Sequence, residues 1–438
     1  MHRTLSGLVV CDLALQTGSG ERAPPMADTL QPRSAKEVEA AVQWLLAEGK
    51  AAEIVGHGSK RQIGRPAQTD LTLDLSALTG VTLYEPEELV LSAKAATSLA
   101  DIEALVAAKG QQLAFEPMDY ASVLGGVAGR GTIGGALAAN LSGPRRIKAG
   151  AARDHFLGVC AVSGCGESFK SGGRVVKNVT GYDLCKLMAG SWGTLAAMTD
   201  VTIKVLPRPE TEQTLLIRGL EPARAVAAMT SAMASSCDVS GAAHLPADVA
   251  ARIPVQEIAG SAVTALRLEG FSPSVIERKR MLETLMQPFG ELAIADEQAS
   301  RALWTAIRDA TPFAADGSSQ SPRQGAPPLW RISTAPSRGA ELAAMIATAA
   351  QAQMFFDWAG GLIWAMLGAC DDAGAALVRR AVAATGGHAT LIRAPAPARA
   401  AIDVFAPQDA AVAALTKRVK ESFDPKGVLN PGRMWAGV

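Results

Sequence analysis

The chain has 438 residues, of which 48% are hydrophobic and 19% are charged. This composition excludes an intrinsically disordered chain, and the length predicts two domains because it exceeds what one hydrophobic core usually supports. Lys and Arg together number 42, as do Asp and Glu, so the net charge gives no reason to expect a nucleic-acid ligand.

The six cysteines have no paired spacing, which favours reduced, mostly buried thiols in a cytoplasmic protein. No uncharged apolar run reaches the roughly 18 residues that a membrane span needs. Residues 1–25 lack a convincing signal-peptide cleavage site. We expect them to be a disordered or misannotated extension, with Met26 as an alternative start.

The first predicted helix begins after Ser34, a typical N-cap residue, and ends at Gly49. Apolar residues recur at helical spacing between these two positions. Short strands and a second helix follow in a β-α-β order, which predicts an α+β fold. The predicted strands are Ala52–Val55, Leu71–Leu75 and Leu89–Ala95, and the second helix is Leu99–Ala108.

A glycine-rich loop from Gly56 to Gly64 follows the first strand. Its small residues would allow successive backbone amides to converge on phosphate oxygens. A simple turn would show the same pattern, so the loop alone is a weak signal. The candidate ligand-binding residues in it are Gly56, His57, Gly58, Ser59, Lys60 and Gly64.

A second glycine-rich segment, Gly129–Gly134, fits the G-x-G-x-x-G pattern, and Asp154 lies 20 residues after it. A dinucleotide-binding fingerprint of the Rossmann type requires a strand directly before the glycines. Residues Val123–Ala128 contain too many glycines for that strand. We therefore reject the Rossmann interpretation.

The most informative segment runs from Gly173 to Leu195. It contains an Asn178–Asp183 turn rich in hydrogen-bonding groups and a tight Gly190–Gly193 bend. Exposed backbone at glycines beside hydroxyl groups suits a polar, planar ligand. An ordinary glycine-rich loop is the alternative.

The second half begins after Pro207–Pro209, where two prolines predict a domain boundary. Helices alternate with strands beyond it, and the glycine-, serine- and proline-rich segment Thr311–Pro328 is predicted to be an exposed loop. One further strand, Asp200–Leu206, is predicted directly before this boundary. The predicted elements after the boundary are the strands Ala262–Leu268, Trp330–Ser333 and Gly361–Trp364, the helices Ala223–Ala234 and Ser274–Met286, and a turn-rich tail, Phe423–Met434.

Together these segments resemble, in matching order, the flavoproteins related to vanillyl-alcohol oxidase and p-cresol methylhydroxylase. Within that family they most resemble the FAD-binding subunits of bacterial glycolate oxidase complexes. The resemblance implies an FAD-binding domain over residues 26–207, a substrate or cap domain over 208–395, and a C-terminal segment, 396–438, that returns to the FAD site. Besides the first loop, it implies FAD contacts at Thr132, Ile133, Gly134, Gly135, Ala139, Asn140, Arg153, Asp154, Val176, Lys177, Asn178, Thr180, Gly181, Asp183, Gly190, Asn430 and Pro431.

Some members of the family bond the flavin covalently to a histidine or a cysteine. The matching positions here are Ser59 and Arg130, which favours non-covalent FAD. His57 lies two residues before the first of these positions, so attachment through it is not expected. Lys177 near the flavin would favour the anionic reduced form, although a surface lysine is an equal alternative.

Members that oxidise 2-hydroxy acids carry a histidine-rich metal site in the second domain. None of the five histidines of this chain lies in such a motif, so no metal site is expected. The resemblance implies a subunit of a glycolate dehydrogenase complex, with a second FAD subunit and an iron–sulfur subunit as partners and a small 2-hydroxy acid as substrate. The complex would be cytoplasmic or at the inner face of the cell membrane. A self-sufficient 2-hydroxy-acid dehydrogenase and a non-catalytic scaffold remain alternatives.

Overall fold

A computed structural model describes residues 28–174, 181–315 and 327–438. Up to Pro207 the chain forms short strands and helices. The strands are β1 (Asp28–Leu30), β2 (Ala52–Val55), β3 (Leu71–Asp74), β4 (Val81–Glu85), β5 (Val90–Lys94), β6 (Gln111–Gln112), β7 (Phe156–Ser163), β8 (Ser168–Gly172), β9 (Ala196–Lys204) and β10 (Leu206–Pro207). The helices are α1 (Ala35–Glu48), α2 (Leu99–Ala107), α3 (Ala121–Leu124), α4 (Ile133–Ala138), α5 (Arg146–Ala149), α6 (Ala152–His155) and α7 (Leu184–Met188).

Two main sheets form this part of the molecule. One has three parallel strands in the order β1-β3-β2, and the other has five antiparallel strands in the order β4-β5-β9-β7-β8. Helix α1 packs Val38, Val42 and Leu45 into the core of the parallel sheet. The Ser34 hydroxyl accepts a hydrogen bond from the Glu37 amide at 3.2 Å, and Gly49 ends the helix at φ 63°, as predicted.

The remaining strands are β11 (Thr211–Arg218), β12 (Gly241–Leu245), β13 (Val263–Gly270), β14 (Leu292–Ala295), β15 (Leu329–Ser333), β16 (Ala352–Asp357), β17 (Leu362–Leu367) and β18 (His388–Arg393). They form one antiparallel sheet in the order β14-β11-β13-β12-β16-β17-β15-β18. The helices of this half are α8 (Pro222–Met233), α9 (Ala247–Ala250), α10 (Ser272–Met286), α11 (Glu297–Arg308), α12 (Gly339–Ala349), α13 (Ala375–Thr385), α14 (Ala396–Ala401) and α15 (Ala410–Phe423).

A buried ion cluster joins the large sheet to the first part of the chain. Arg267 on β13 is 1% exposed, and its guanidinium donates to both carboxylate oxygens of Glu116, at 3.0 and 3.1 Å. Arg145 pairs with the same Glu116 at 2.6 Å and with Glu269 on β13. Because every charge in this cluster has a close partner of opposite sign, it fixes the two halves against each other without leaving a buried charge uncompensated.

One sequence expectation needs correction, and one strand was missed. The segment Thr311–Pro328 is not an exposed loop at its ends, because Pro312 and Phe313 are buried in a short 3-10 helix and Pro328 is buried before β15; residues 316–326 lie outside the described part of the chain. Strand β4 was not predicted, since its residues are mostly accessible and show no clear apolar alternation. The rejection of a Rossmann strand is confirmed, because a short helix, α3, precedes Gly129.

Candidate functional site

A cavity lies where the loop after β2 faces the start of α4. Segments far apart in the chain form its wall, and the tail reaches it as well. Of the residues predicted from the sequence, those that line it are Gly56, His57, Gly58, Ser59, Lys60, Thr132, Gly134, Gly135, Ala139 and Asn430.

Glycine at two positions lets the two segments approach closely. The Thr132 hydroxyl caps α4 by accepting a hydrogen bond from the Gly135 amide at 3.2 Å. A Cβ at Gly56 would lie 3.0 Å from this hydroxyl oxygen, and one at Gly135 would lie 2.9 Å from it. A side chain at Gly56 would therefore push the loop away from α4, whereas one at Gly135 would disturb the Thr132 cap and the end of the Lys60 side chain, which would lie 3.3 Å away.

Lys60 gives the cavity a positive charge. Its ammonium donates to the Ser59 hydroxyl at 3.1 Å, and no carboxylate of the described residues lies within 4 Å of it. Removal from water lowers the pKa of Lys60 to about 8; the more distant Asp119 opposes this shift, whereas Arg433 adds to it. A bound anionic group would favour the charged form of this side chain.

The C-terminal tail returns to this cavity through Asn430. Its side-chain oxygen accepts from the Ile54 amide at 2.8 Å, and its side-chain nitrogen donates to the Trp192 carbonyl oxygen at 2.8 Å. The Arg433 guanidinium donates to the Lys60 carbonyl oxygen at 2.8 Å. The tail thereby ties β2, the Gly190–Gly193 bend and the loop after β2 together.

A second cavity lies between the first part of the chain and the large sheet. Ala139 and Trp192 line both cavities, so the two spaces adjoin. The predicted residues Asn140 and Gly190 line the second cavity. Its polar wall was not predicted from the sequence and includes Tyr120, Arg146, Arg331, Asp357 and His388.

Trp358 organises that wall. Its indole nitrogen donates to the Gly143 carbonyl oxygen at 3.0 Å, and the guanidinium carbons of Arg146 and Arg331 lie 5.0 and 4.9 Å from its ring centroid. The preceding Asp357 is buried, and one of its carboxylate oxygens accepts from the Trp358 amide at 2.7 Å. Burial raises the pKa of Asp357 to about 7, despite the opposing effect of this hydrogen bond.

The backbone around Trp358 is strained. Trp358 and Ala359 both adopt positive φ angles, 53° and 58°, although neither is glycine. Such conformations persist where the surrounding packing holds them, and they are common at ligand sites.

Comparisons with known proteins agree with this geometry. The FAD binding domain family matches residues 27–172. Glycolate oxidase subunit GlcE of Escherichia coli is 33% identical over 384 residues, which is 87% of this chain and 92% of that protein. The chain belongs to the family of this FAD-dependent subunit.

More distant relatives share part of the chain or only its fold. Glycolate oxidase subunit GlcD of Bacillus subtilis is 33% identical over 151 residues, covering 34% of this chain and 30% of that protein. The crystal structure of p-cresol methylhydroxylase with substrate bound superposes with a TM-score of 0.70 at 12% identity, covering 93% of this chain and 88% of that one. The α+β fold predicted from the sequence is therefore confirmed as the p-cresol methylhydroxylase type.

As in the rest of this family, FAD is the cofactor, and the first cavity suits its charge. The approach of the loop to α4 depends on glycines, and Lys60 has no carboxylate partner among the described residues. A diphosphate is the part of FAD that would supply the missing negative charge.

The structure does not bring every predicted residue to a cavity. Arg153 and Asp154 are exposed, and a carboxylate oxygen of Asp154 accepts from the Ala151 amide at 2.8 Å, which caps α6. Asp183 is exposed beside Lys186. Gly64, Ile133, Gly181 and Pro431 also lie outside both cavity walls. The predicted residues Val176, Lys177, Asn178 and Thr180 lie outside the described part of the chain.

The most important residues that sequence reasoning missed are Arg146, Arg331, Asp357 and Arg433. Trp358 and Trp364 follow Asp357 closely in the chain, but nothing in the sequence linked Trp358 to arginines on other elements. Among the described residues, no group of three or more His, Cys, Asp or Glu side chains could hold a metal ion. No described helix has both the length and the apolar character of a membrane span.

Proposed function

We propose that this chain is the FAD-binding subunit of a glycolate dehydrogenase complex, in which it passes electrons from 2-hydroxy-acid oxidation to partner redox subunits. The observation that carries the proposal is the pair of adjoining cavities in a chain related to glycolate oxidase subunit GlcE over most of its length. One cavity suits the cofactor, and the other is cationic and suits an organic acid. Bound FAD supplies two-electron oxidation with one-electron transfer onward.

The proposal assigns separate roles to this chain's own residues. Lys60 and the loop from Gly56 hold the diphosphate, while Asn430 and Arg433 close the tail over the cofactor cavity. Ala139 and Trp192 line both cavities, and with Asn140 and Gly190 in the wall of the second they position the redox-active end of the cofactor. The cofactor is held non-covalently, because Ser59 and Arg130 occupy the two attachment positions.

The proposed partners are a second FAD subunit and an iron–sulfur subunit, in a complex that is cytoplasmic or bound to the inner face of the cell membrane. The relationship to both GlcE and GlcD supports a multi-subunit assembly. The described residues offer no metal site to activate a hydroxyl group, so a partner subunit is expected to complete the substrate chemistry.

The experiment that tests this proposal is anaerobic reduction of the bound flavin by glycolate. The isolated chain should hold FAD that dithionite reduces, but glycolate should bleach it slowly. Co-purified partner subunits should restore rapid bleaching. Rapid bleaching of the isolated chain would replace this proposal with a self-sufficient 2-hydroxy-acid dehydrogenase.

That second candidate has one specific observation in its favour. Asp357 lines the cationic cavity and has a pKa of about 7, raised by burial, so its carboxylate could accept a proton from a substrate hydroxyl near neutral pH. A third possibility, a scaffold that has lost its cofactor, would be recognised by a colourless protein that cannot be reconstituted with FAD.

A further inference from the structure

Two arginines in the second cavity lack the acidic partners that arginines usually have in protein interiors. Arg146 follows the bend at Gly143, and Arg331 lies on β15 of the large sheet. Both are partly buried, and in the described part of the chain no carboxylate oxygen lies within 4 Å of either guanidinium. By contrast, both arginines of the ion cluster are paired with glutamates: Arg145 contacts three of them and Arg267 contacts two.

The two charges are held near each other by contact with the same ring. Each guanidinium carbon lies about 5 Å from the Trp358 ring centroid, at 5.0 Å for Arg146 and 4.9 Å for Arg331. Trp358 itself is fixed by its hydrogen bond to the Gly143 carbonyl oxygen. Burial lowers the pKa of Arg331 and, to a smaller degree, so does the nearby charge of Arg146. Two positive charges that lie close together and are partly removed from water raise the free energy of the folded chain, and an anion bound between them would offset this cost.

The acid that is present in the cavity does not neutralise this pair. Asp357 is not in ion-pair contact with either arginine, and its carboxylate is engaged with the Trp358 amide. Tyr120, which is 5% exposed and lines the same cavity, makes no hydrogen bond from its hydroxyl to another described residue. The wall therefore presents two guanidinium groups and a phenol hydroxyl to whatever enters, an arrangement that suits a carboxylate.

We propose that Arg146 and Arg331 form a carboxylate-binding site of this chain's own, beside its cofactor cavity, for a small 2-hydroxy or 2-oxo acid. The proposal rests on the proposed function in one respect, which is that the ligand is an acid of that class. The carboxylate site goes beyond the proposed function because it gives this subunit an acid-binding site in addition to the one expected on a partner subunit. The chain would then do more than relay electrons. Trp358 acts as a positioning residue that holds both arginines.

The site can be tested with oxalate, a carboxylate that cannot be oxidised as a 2-hydroxy acid. Oxalate should bind the FAD-loaded chain saturably, measured by calorimetry and by a change in the flavin spectrum, and the neutral analogue oxamide should not. Arg331→Gln and Arg146→Gln should each weaken oxalate binding about tenfold or more, because each removes a charge-assisted contact. The matched control is Arg280→Gln, whose guanidinium is exposed and pairs with Glu277 on α10; it should bind oxalate like the unchanged chain.

The outcomes separate this inference from the proposed function. Failure of the wild-type chain to bind oxalate, or equal affinity in both cavity variants and the control, would overturn the carboxylate site. Absence of FAD from the purified chain would count against the proposed function, while calorimetry would still report oxalate binding. If one variant does not fold, the other decides, because the two arginines lie on different elements. An altered flavin spectrum with unchanged oxalate affinity would assign the arginines to the flavin instead and would also overturn the proposal.

Discussion

The side-chain nitrogen of Asn430 donates a hydrogen bond to the Trp192 carbonyl oxygen at 2.8 Å. This contact joins the C-terminal tail to the bend that separates the two cavities. The same side chain also accepts from the Ile54 amide, so one buried amide fixes three distant segments. Asn430 adopts φ 45°, a left-handed conformation that asparagine tolerates better than most residues.

The first prediction concerns this hydrogen-bonded amide. Asn430→Gly keeps the left-handed backbone but removes both side-chain bonds, so it should lower the free energy of unfolding by about 1–3 kcal/mol for each bond lost. It should also reduce the FAD content of the purified protein. Asn430→Asp keeps an acceptor for the Ile54 amide, but it places a buried carboxylate oxygen against the Trp192 carbonyl oxygen, so it should also destabilise the fold, and more strongly as the pH rises and the carboxylate ionises. Thermal unfolding and the flavin absorbance per chain measure both effects; wild-type values in Asn430→Gly would show that the tail does not close the cavity.

The second prediction is a pH dependence of FAD binding that arises from Lys60. Burial lowers the pKa of Lys60 to about 8 in the ligand-free chain, and a bound diphosphate should raise it again. Affinity for FAD should therefore be highest below pH 8 and should fall as the pH rises above this value, because the free chain loses the proton that the complex keeps. Fluorescence titration of the apoprotein with FAD from pH 7 to 9.5 measures this.

A matched variant isolates the contribution of the lysine. Lys60→Met should weaken FAD binding by roughly 10- to 100-fold at pH 7, the effect of losing one charge-assisted hydrogen bond. It should also flatten the pH dependence above pH 8. An unchanged slope in this variant would assign the titration to another group.

The third prediction separates two glycines that look alike in the sequence. A Cβ at Gly134 would lie 2.7 Å from the carbonyl oxygen of Ala95, the residue after β5, so Gly134→Ala should destabilise the fold as well as the site. Gly190 has φ 85°, and a Cβ there would make only an ordinary contact with Asn140 at 3.7 Å. Gly190→Ala should therefore cost about 1–3 kcal/mol from backbone strain and chiefly lower FAD content.

Gly173→Ala is the control for these two variants, because its added Cβ meets open space without a positive φ angle. Denaturant unfolding and flavin content should place the stability of the three variants in the order Gly173→Ala, Gly190→Ala, Gly134→Ala, from highest to lowest. Soluble Gly134→Ala protein with wild-type stability would contradict the clash with Ala95. The sequence predicted a role for Gly134 at the cofactor, but the first neighbour of an added side chain is the backbone of Ala95, which follows β5.

The fourth prediction is that FAD leaves the chain when the protein is denatured. Precipitation with acid should release all of the flavin into the supernatant, because Ser59 and Arg130 cannot form the covalent bonds that histidine or cysteine forms. His57 is partly buried in the cavity wall, and burial together with the charge of Arg130 lowers the pKa of this imidazole. Flavin fluorescence that stays with the denatured chain on a gel would contradict the prediction, and His57→Ala would then identify the attachment.

Much of the first cavity could be read from the sequence because its signals are local. Gly56 and Gly135 leave room for the side chains of Thr132 and Lys60, and the Thr132 cap precedes its helix directly in the chain. The strand β2 and helices α1 and α2 also follow from short-range patterns. Local propensity and apolar spacing therefore determined the elements and the order of the glycine-rich segments.

Only the tertiary structure decided which distant residues meet. Asn430 and Ile54 are 376 positions apart, and Arg146 on α5 and Arg331 on β15 reach the same tryptophan. No periodicity connects such residues, because their proximity depends on sheet order and on the packing of the two halves. The sequence alone determined that this chain has a glycine-lined site for a cofactor, and the packing of the large sheet against it produced the cationic cavity beside that site.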